Sequence, residues 1–159
     1  MSVAFTKEGD SESVAANLPD RPISPHANLV TPNGLALLDQ ALADARAAYA
    51  AAQVLGDVSA DRTAMARATR DLRYYGARRA SAQVREPQPG SDTVTFGGSV
   101  TFDREDGRRQ TFRIVGEDEA DPRGGSISYV SPLARRLTAK RVGEVVDLDG
   151  REIEILTIA

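Results

Sequence analysis

The chain has 159 residues, 41% of them hydrophobic and 27% charged, with a formal net charge of −3, so it has the apolar content of an ordinary globular protein and no strong overall charge bias. It contains no cysteine and one histidine, His26, which excludes disulfides, thiolate zinc sites and thiol catalysis and disfavours a histidine-based metal site. Runs of about 18 apolar residues and an apolar signal region are both missing, so we expect a cytoplasmic protein without a membrane span.

Residues 1–30 open the chain without a hydrophobic period. They are mostly small and polar, and they include three prolines. A segment of this composition cannot bury enough apolar surface to become ordered, so we expect residues 1–30 to form a flexible N-terminal arm.

Two helices with heptad spacing are predicted over residues 31–86. Thr31 and Pro32 are typical of an N-cap and a first helical residue, and Gly56 is typical of a helix end. The seam of the first helix consists of Leu35, Leu38, Leu42, Ala45, Tyr49 and Ala52. The seam of the second helix, which runs from about Asp61 to Val84, consists of Met65, Ala68, Leu72, Tyr75, Arg79 and Ala82. Spacings of three and four predict an antiparallel coiled-coil hairpin with arms of about 36 Å.

Residues 87–90 read Pro-Gln-Pro-Gly and are interpreted as a linker between domains. After them the hydrophobic period changes to two, which indicates strands packed on one face. The alternation predicts strand structure near 94–96, at 100–104 and at 110–115, with Asp106-Gly107 as the turn of a hairpin.

The rest of the chain continues the strand pattern and adds one helix. Its predicted elements are, in order, a strand at 127–130, a helix from Pro132 to about 139, and a hairpin of strands 142–148 and 152–158. Ser131 is the N-cap of the helix, and Asp149-Gly150 is the turn of the hairpin. These elements predict a compact α+β domain over 91–159. Its expected core includes Leu133, Leu137 and Val142.

The segments around the acidic loop resemble a known family. Residues 114–121 read Ile-Val-Gly-Glu-Asp-Glu-Ala-Asp, and residues 127–135 read Ile-Ser-Tyr-Val-Ser-Pro-Leu-Ala-Arg. This order resembles the C-terminal domain of the bacterial GreA/GreB factors, which bind RNA polymerase and help it to cleave backtracked RNA, and the resemblance runs from about Thr93 to Ile158. It implies a C-terminal domain like that of the FK506-binding proteins, which docks at the entrance of the polymerase channel, and it implies a structural role for the acids of 117–121.

The predicted hairpin tip, residues 56–62, reads Gly-Asp-Val-Ser-Ala-Asp-Arg. In the family the tip has the form Gly-Asp-Leu-x-Glu-Asn-Ala, and its two acids help to hold a second Mg²⁺ in the polymerase active centre. The resemblance therefore implies Asp57 as a ligand of a Mg²⁺ shared with polymerase, and Asp57 and Asp61 as candidate catalytic acids, with no cofactor of the protein's own. Ala60 stands where the family has its second acid. The residues alone also allow Asp57 and Ser59 to be simple helix caps.

Arginines are concentrated on the second helix and recur after the Ser-Pro helix start. The candidate contacts to polymerase or nucleic acid are Arg62, Arg67, Arg70, Arg73, Arg78, Arg135 and Arg136. A basic helix within a polymerase channel would meet RNA phosphate or acidic protein. The alternative is a solvated helix face that is partly paired with Asp39 and Asp44.

The sequence is thus interpreted as a two-domain, Gre-like elongation factor that binds RNA polymerase at the secondary channel. We expect a monomer that is not itself an enzyme, meets nascent RNA and DNA only within the elongation complex, and has no membrane partner. Three alternatives stay open: a channel-occupying regulator that does not cleave, a regulator of the nucleoside diphosphate kinase type, and a prolyl isomerase. The first alternative is favoured by Ala60 and by arms about one heptad, or roughly 10 Å, shorter than is usual in the family.

Overall fold

The computed structural model describes residues 18–55 and 62–159 and shows an α+β protein. Its backbone packing divides the chain into two compact units. Of the described residues, the first unit contains 18–25, 38–55 and 62–81, and the second contains 26–37 and 82–159. Within these ranges, every helix is too short or too polar to cross a bilayer.

Two long helices supply most of the first unit. Helix α1 spans Pro32–Leu55 and helix α2 spans Arg62–Ser81, and the residues between them lie outside the described part of the chain. Four positions of the predicted seams are buried: Leu38, Leu42 and Ala45 on α1, and Ala68 on α2. Arg79, which the period places on the seam, reaches out to an ion pair with Asp39. The heptad spacing therefore identified the buried face of α1 correctly, whereas on α2 only Ala68 of the predicted seam is buried.

The predicted flexible arm is wrong for the last part of residues 1–30. Strand β1, Leu29–Val30, pairs in parallel with strand β2, Gln83–Val84, so α2 also ends three residues earlier than predicted. The amide of Gln83 donates to the carbonyl of Asn28 at 2.8 Å, and Asn28 is only 4% exposed. Backbone hydrogen bonds to a distant segment order this region. A strand of two residues is too short to show a hydrophobic period, so the sequence pattern does not reveal it. Residues 1–17 lie outside the described residues.

A five-stranded mixed sheet forms the second unit, in the order β5-β4-β3-β7-β6. The strands are β3 Ser99–Arg104, β4 Arg109–Val115, β5 Ser126–Ser128, β6 Val145–Leu148 and β7 Arg151–Ile158. Strand β5 pairs with β4 in parallel, and the other neighbours are antiparallel. Helix α3, Pro132–Leu137, buries Ala134 and Leu137 in the same hydrophobic core as Phe102 and Ile155.

Local turn chemistry was predicted correctly in this unit. The turn between β6 and β7 has positive φ at both central residues, 52° at Asp149 and 78° at Gly150, which is the pattern of a type I′ hairpin. The Ser131 side chain accepts a hydrogen bond from the amide of Ala134, so Ser131 is the N-cap of α3. These contacts are local in sequence, which is why residue identity alone reveals them.

Three details of the predicted domain need correction. Val142 is 57% exposed and does not belong to the core. Helix α3 ends at Leu137 because Thr138 has extended backbone angles and Ala139 has a φ of 68°, which a helix cannot continue through. Residues 94–96 form no regular strand, although Val94 is buried and exchanges backbone hydrogen bonds with Ala139 and Lys140.

Candidate functional site

The arginines of α2 form a positively charged surface, and some of these side chains are already paired with acidic residues. Arg62, Arg67 and Arg73 are exposed, whereas Arg70 is half-buried. The guanidinium of Arg73 lies 3.1 Å from the carboxylate of Asp20, and Arg70 Nε lies 3.8 Å from Asp71. Exposed pairs of this kind contribute about 0–1 kcal/mol each, so they modulate the charge of the helix more than they stabilise it.

Arg78 does not belong to this surface, although the sequence analysis included it. Its side chain is 1% exposed, so it cannot contact polymerase or nucleic acid in this conformation. The heptad period through Ala68 predicts burial of Arg79, and the structure instead buries its neighbour near the end of α2. Arg78 is therefore assigned to the packing of the protein and is removed from the contact set.

Residues before α1 contribute a cluster that the sequence analysis missed. The guanidinium carbon of Arg21 lies 3.8 Å from the ring centroid of Tyr74 and 4.9 Å from that of Tyr75, and its Nη1 lies 3.3 Å from Asp71. Burial disfavours the charged guanidinium, but the hydrogen bonds to Tyr75 and Asp71 and the electrostatic attraction of Tyr75 and Tyr74 together outweigh that effect, so the pKa of Arg21 is raised. An arginine between prolines was the only available signal, and composition alone assigned the segment to the arm.

The acidic loop of residues 117–121 has a structural role at the start of α1. Glu119 Oε2 accepts a hydrogen bond of 2.6 Å from the hydroxyl of Thr31, and Oε1 accepts one of 2.9 Å from the side-chain amide Nδ2 of Asn33. The Thr31 hydroxyl oxygen in turn accepts from the amide of Gly34 at 2.9 Å, so Thr31 is the N-cap. The first turn of α1 contains no acid of its own, and the Glu119 carboxylate supplies the negative charge that stabilises a helix N-terminus.

Two glycines make room for this arrangement. A Cβ atom at Gly34 would lie 2.7 Å from Glu119 Oε2, and one at Gly116 would lie 2.3 Å from the carbonyl oxygen of Leu29. Both distances are shorter than a Cβ atom tolerates, so a side chain at Gly34 would displace the Glu119 carboxylate and one at Gly116 would displace strand β1. The loop, β1 and the start of α1 therefore form one closely packed group, which we call the Glu119 clamp.

The remaining candidate contacts stand apart from these clusters. Arg135 and Arg136 are exposed on the last turn of α3, where their positive charges also suit the helix C-terminus. The candidate tip acids Asp57 and Asp61, like Ala60, lie outside the residues that the structure describes. Across the described ranges 18–55 and 62–159, no group of three or more His, Cys, Asp or Glu side chains could hold a metal ion.

A solvent-exposed, bidentate ion pair joins strands β3 and β4. The guanidinium of Arg109 donates to both carboxylate oxygens of Asp103, at 2.9 and 3.1 Å. These hydrogen bonds, together with the positive charge of Arg109, hold the pKa of Asp103 below its ordinary value. Asp103 also faces Glu154 across the β3–β7 ladder, so Arg109 offsets a repulsion between like charges.

Comparison with known proteins identifies similar sequences. A family model described as "Transcription elongation factor, GreA/GreB, C-term" matches residues 88–159. Transcription elongation factor GreB of Neisseria meningitidis serogroup B is 41% identical over 109 residues, which cover 65% of this chain and 67% of that protein. Transcription elongation factor GreA of Maricaulis maris is 40% identical over 73 residues, 43% of this chain and 46% of that protein.

Solved structures of similar proteins align more loosely. The GreA factor homolog Gfh1 of Thermus thermophilus has a TM-score of 0.39 at 20% identity, over 84% of this chain and 99% of that chain. The GreA/GreB elongation factor of Nitrosomonas europaea has a TM-score of 0.40 at 17% identity, over 82% and 98% of the two chains.

Proposed function

Because the chain belongs to the GreA/GreB family of transcription elongation factors, we propose that it binds bacterial RNA polymerase at the secondary channel and modulates backtracked elongation complexes. The match to GreB carries this proposal. It extends over 109 residues, and residues 88–159 number only 72, so the alignment must include part of the helical region. The likeness therefore extends beyond the C-terminal domain that the family model describes.

The proposed architecture assigns a separate task to each part of the chain. Helices α1 and α2 form the two arms of a coiled-coil hairpin, and their described parts, of 24 and 20 residues, are roughly 36 and 30 Å long. The domain with the mixed sheet is of the FK506-binding-protein type and docks on polymerase, with Arg135 and Arg136 available on its surface. The arms carry the tip toward the active centre of polymerase. The protein acts as a monomer and reaches RNA and DNA only within the elongation complex.

Asp57 is the residue of this chain that would hold a Mg²⁺ shared with polymerase. A hard cation prefers carboxylate oxygens, and Asp57 and Asp61 offer at most two carboxylates, so the polymerase must supply the remaining ligands. An ion held in this way would activate water for hydrolysis of the RNA phosphodiester. The protein therefore contributes positioning and one or two ligands, and the chemistry belongs to polymerase.

A second candidate function is occupation of the channel without cleavage. Ala60 favours it, because a methyl group replaces the second acid of the family tip. The arm length predicted from the sequence, about one heptad or roughly 10 Å shorter than is usual in the family, also favours it. In this case the protein would compete with other factors for the channel and leave backtracked RNA uncut.

A stalled, backtracked elongation complex with labelled RNA tests the proposal. The complex is incubated with the protein over a range of Mg²⁺ concentrations, and cleaved RNA and bound protein are measured separately. Binding with Mg²⁺-dependent cleavage supports the first function, and binding without cleavage supports the second. If the protein neither binds polymerase nor alters the cleavage of its RNA, both functions are refuted.

A further inference from the structure

Residues 18–25, which we call the strap, follow a three-residue pattern on α2. Leu18, Arg21 and Ser24 are half-buried, and each is followed by an exposed proline. A period of three is that of the polyproline II helix, which has no internal hydrogen bonds and therefore depends on contacts outside itself for its position. The strap precedes the part of the chain that is ordered by β1 and β2.

The strap occupies polar and aromatic groups of one α2 surface. The carboxylate of Asp20 forms an ion pair of 3.1 Å with the guanidinium of Arg73, and the guanidinium of Arg21 forms one of 3.3 Å with the carboxylate of Asp71. The guanidinium of Arg21 also covers the ring face of Tyr74 at 3.8 Å. The Asp20 carboxylate thus occupies the position in which an RNA phosphate would pair with Arg73. The planar Arg21 guanidinium occupies the position in which an RNA base would stack on Tyr74.

These contacts are of the kind that a competing ligand can displace. The side chains of Asp20 and Arg73 are 63% and 67% exposed, and solvent and salt weaken such pairs. The large apolar side chain of the strap's second half, Ile23, is 49% exposed and so anchors it poorly. The strap is therefore ordered on α2 but is not built into a core.

We propose that the strap is an autoinhibitory contact that covers an α2 surface suited to single-stranded RNA, formed by Arg73 and Tyr74. Bound RNA displaces the strap, its phosphate replacing Asp20 at Arg73 and its base replacing Arg21 on Tyr74. The proposal rests on the proposed function insofar as Arg73 is one of the candidate contacts to polymerase or nucleic acid. It adds that this contact is masked in the free protein.

Binding of a fluorescently labelled single-stranded RNA oligonucleotide to the full chain tests the proposal without polymerase. The double variant Asp20→Asn/Arg21→Gln releases the strap and leaves the net charge unchanged. We expect it to bind RNA about fivefold more tightly or better, because one stacked base and one phosphate contact become available. The slope of log affinity against log salt should become steeper by about 0.7, the value for one more phosphate contact on a single strand.

Two controls separate unmasking from general effects. The variant Asp106→Asn/Arg108→Gln removes another exposed ion pair, of 3.0 Å, at equal net charge, and it should leave RNA affinity unchanged. Adding Arg73→Gln to the released variant should remove the gain. Circular dichroism establishes that each variant is folded. A released variant that binds RNA no more tightly than the wild type, or that binds none, overturns the proposal.

A second measurement uses the wild-type chain alone. The side chain of Arg21 lies over the Tyr74 ring, so its NMR signals should be shifted by the ring current and should lose that shift as RNA is added. Arg21 signals that keep the shift while RNA is bound would refute displacement. If the protein stimulates cleavage by polymerase but the released variant binds RNA no more tightly than the wild type, only the autoinhibitory role of the strap is refuted. Tighter RNA binding without any effect on polymerase would refute the proposed function alone.

Discussion

Removal of the Glu119 side chain should destabilise the second unit more than any other single change in the acidic loop. In Glu119→Ala, the hydroxyl of Thr31 loses its acceptor at a position that is 0% exposed, and an unsatisfied buried donor costs about 1–3 kcal/mol. Loss of the negative charge at the start of α1 adds about 0.3–1 kcal/mol. The expected total is about 1.3–4 kcal/mol, which lowers the Tm of a domain of this size by roughly 5–30 °C.

Glu119→Gln should cost about half as much, because one amide oxygen must serve the two donors of Thr31 and Asn33. Thermal unfolding followed by circular dichroism measures both variants, and hydrogen exchange at the amide of Gly34 reports on the cap itself. Asp118→Ala is the matched control, since it removes an exposed acid from the same loop and should change the Tm much less.

Gly34→Ala sharpens the same test. In the wild type the new methyl group would lie 2.7 Å from Glu119 Oε2 and would push the carboxylate away from Thr31. In the Glu119→Ala background that conflict is gone, and the higher helix propensity of alanine should stabilise α1 by up to about 1 kcal/mol. Strictly additive effects in this double-mutant cycle, or a Tm of Glu119→Ala equal to that of Asp118→Ala, would refute the clamp.

Three further predictions concern other parts of the chain. If the protein stimulates weak cleavage, Asp57→Ala should abolish it with little change in polymerase binding, and Ala60→Glu should raise it unless the arms are too short; cleavage that survives Asp57→Ala would exclude the Mg²⁺ role. Asp103 has a lowered pKa, so its contribution to stability is complete above the unfolded-state pKa and is lost as the pH falls through the folded-state value; an NMR titration that finds an ordinary or raised pKa would contradict the arginine pairing. Arg78→Ala should cost about 2–5 kcal/mol in urea unfolding because its side chain is 1% exposed, whereas exposed Arg67→Ala should cost under about 0.5 kcal/mol; equal midpoints would show that Arg78 is not part of the packing.

The sequence predicted those features whose causes are local. The turns at Asp106-Gly107 and Asp149-Gly150 depend on which residues tolerate a positive φ, and the cap at Ser131 depends on a side chain three positions from its partner. The buried seam of α1 follows from helical spacing alone. In each case a few neighbouring residues determine the outcome, so their identities are sufficient.

The features that escaped prediction depend on distant segments. Strands β1 and β2 have two residues each and pair across more than fifty positions, so neither shows a period of its own. The partners of Glu119 are 86 and 88 positions away, and an acid in a polar loop gives no sign of them. The composition of residues 1–30 places Arg21 in a flexible arm, because composition indicates only how much apolar surface a segment can bury. It gives no sign that an arginine stacks on a tyrosine ring.

The candidate site was predicted through family resemblance more than through residue chemistry. The acidic segment and the Ser-Pro helix start identified the family, which the comparisons confirm. Burial could not be inferred in the same way, because Arg78 and its exposed neighbours on α2 are identical in type. Only the packing around each arginine distinguishes a structural side chain from one that is free to meet a partner.

The chain path through the second unit makes the helical region an insertion. The unit is left after Leu37 and re-entered at Ala82, and the two flanking segments are held side by side by β1 and β2. Insertions with adjacent ends are tolerated well, since doubling the length of an inserted loop costs only about 0.6 kcal/mol of closure entropy. Arm length can therefore change by whole heptads, in evolution or by design, without any change in the fold of the domain that carries the arms.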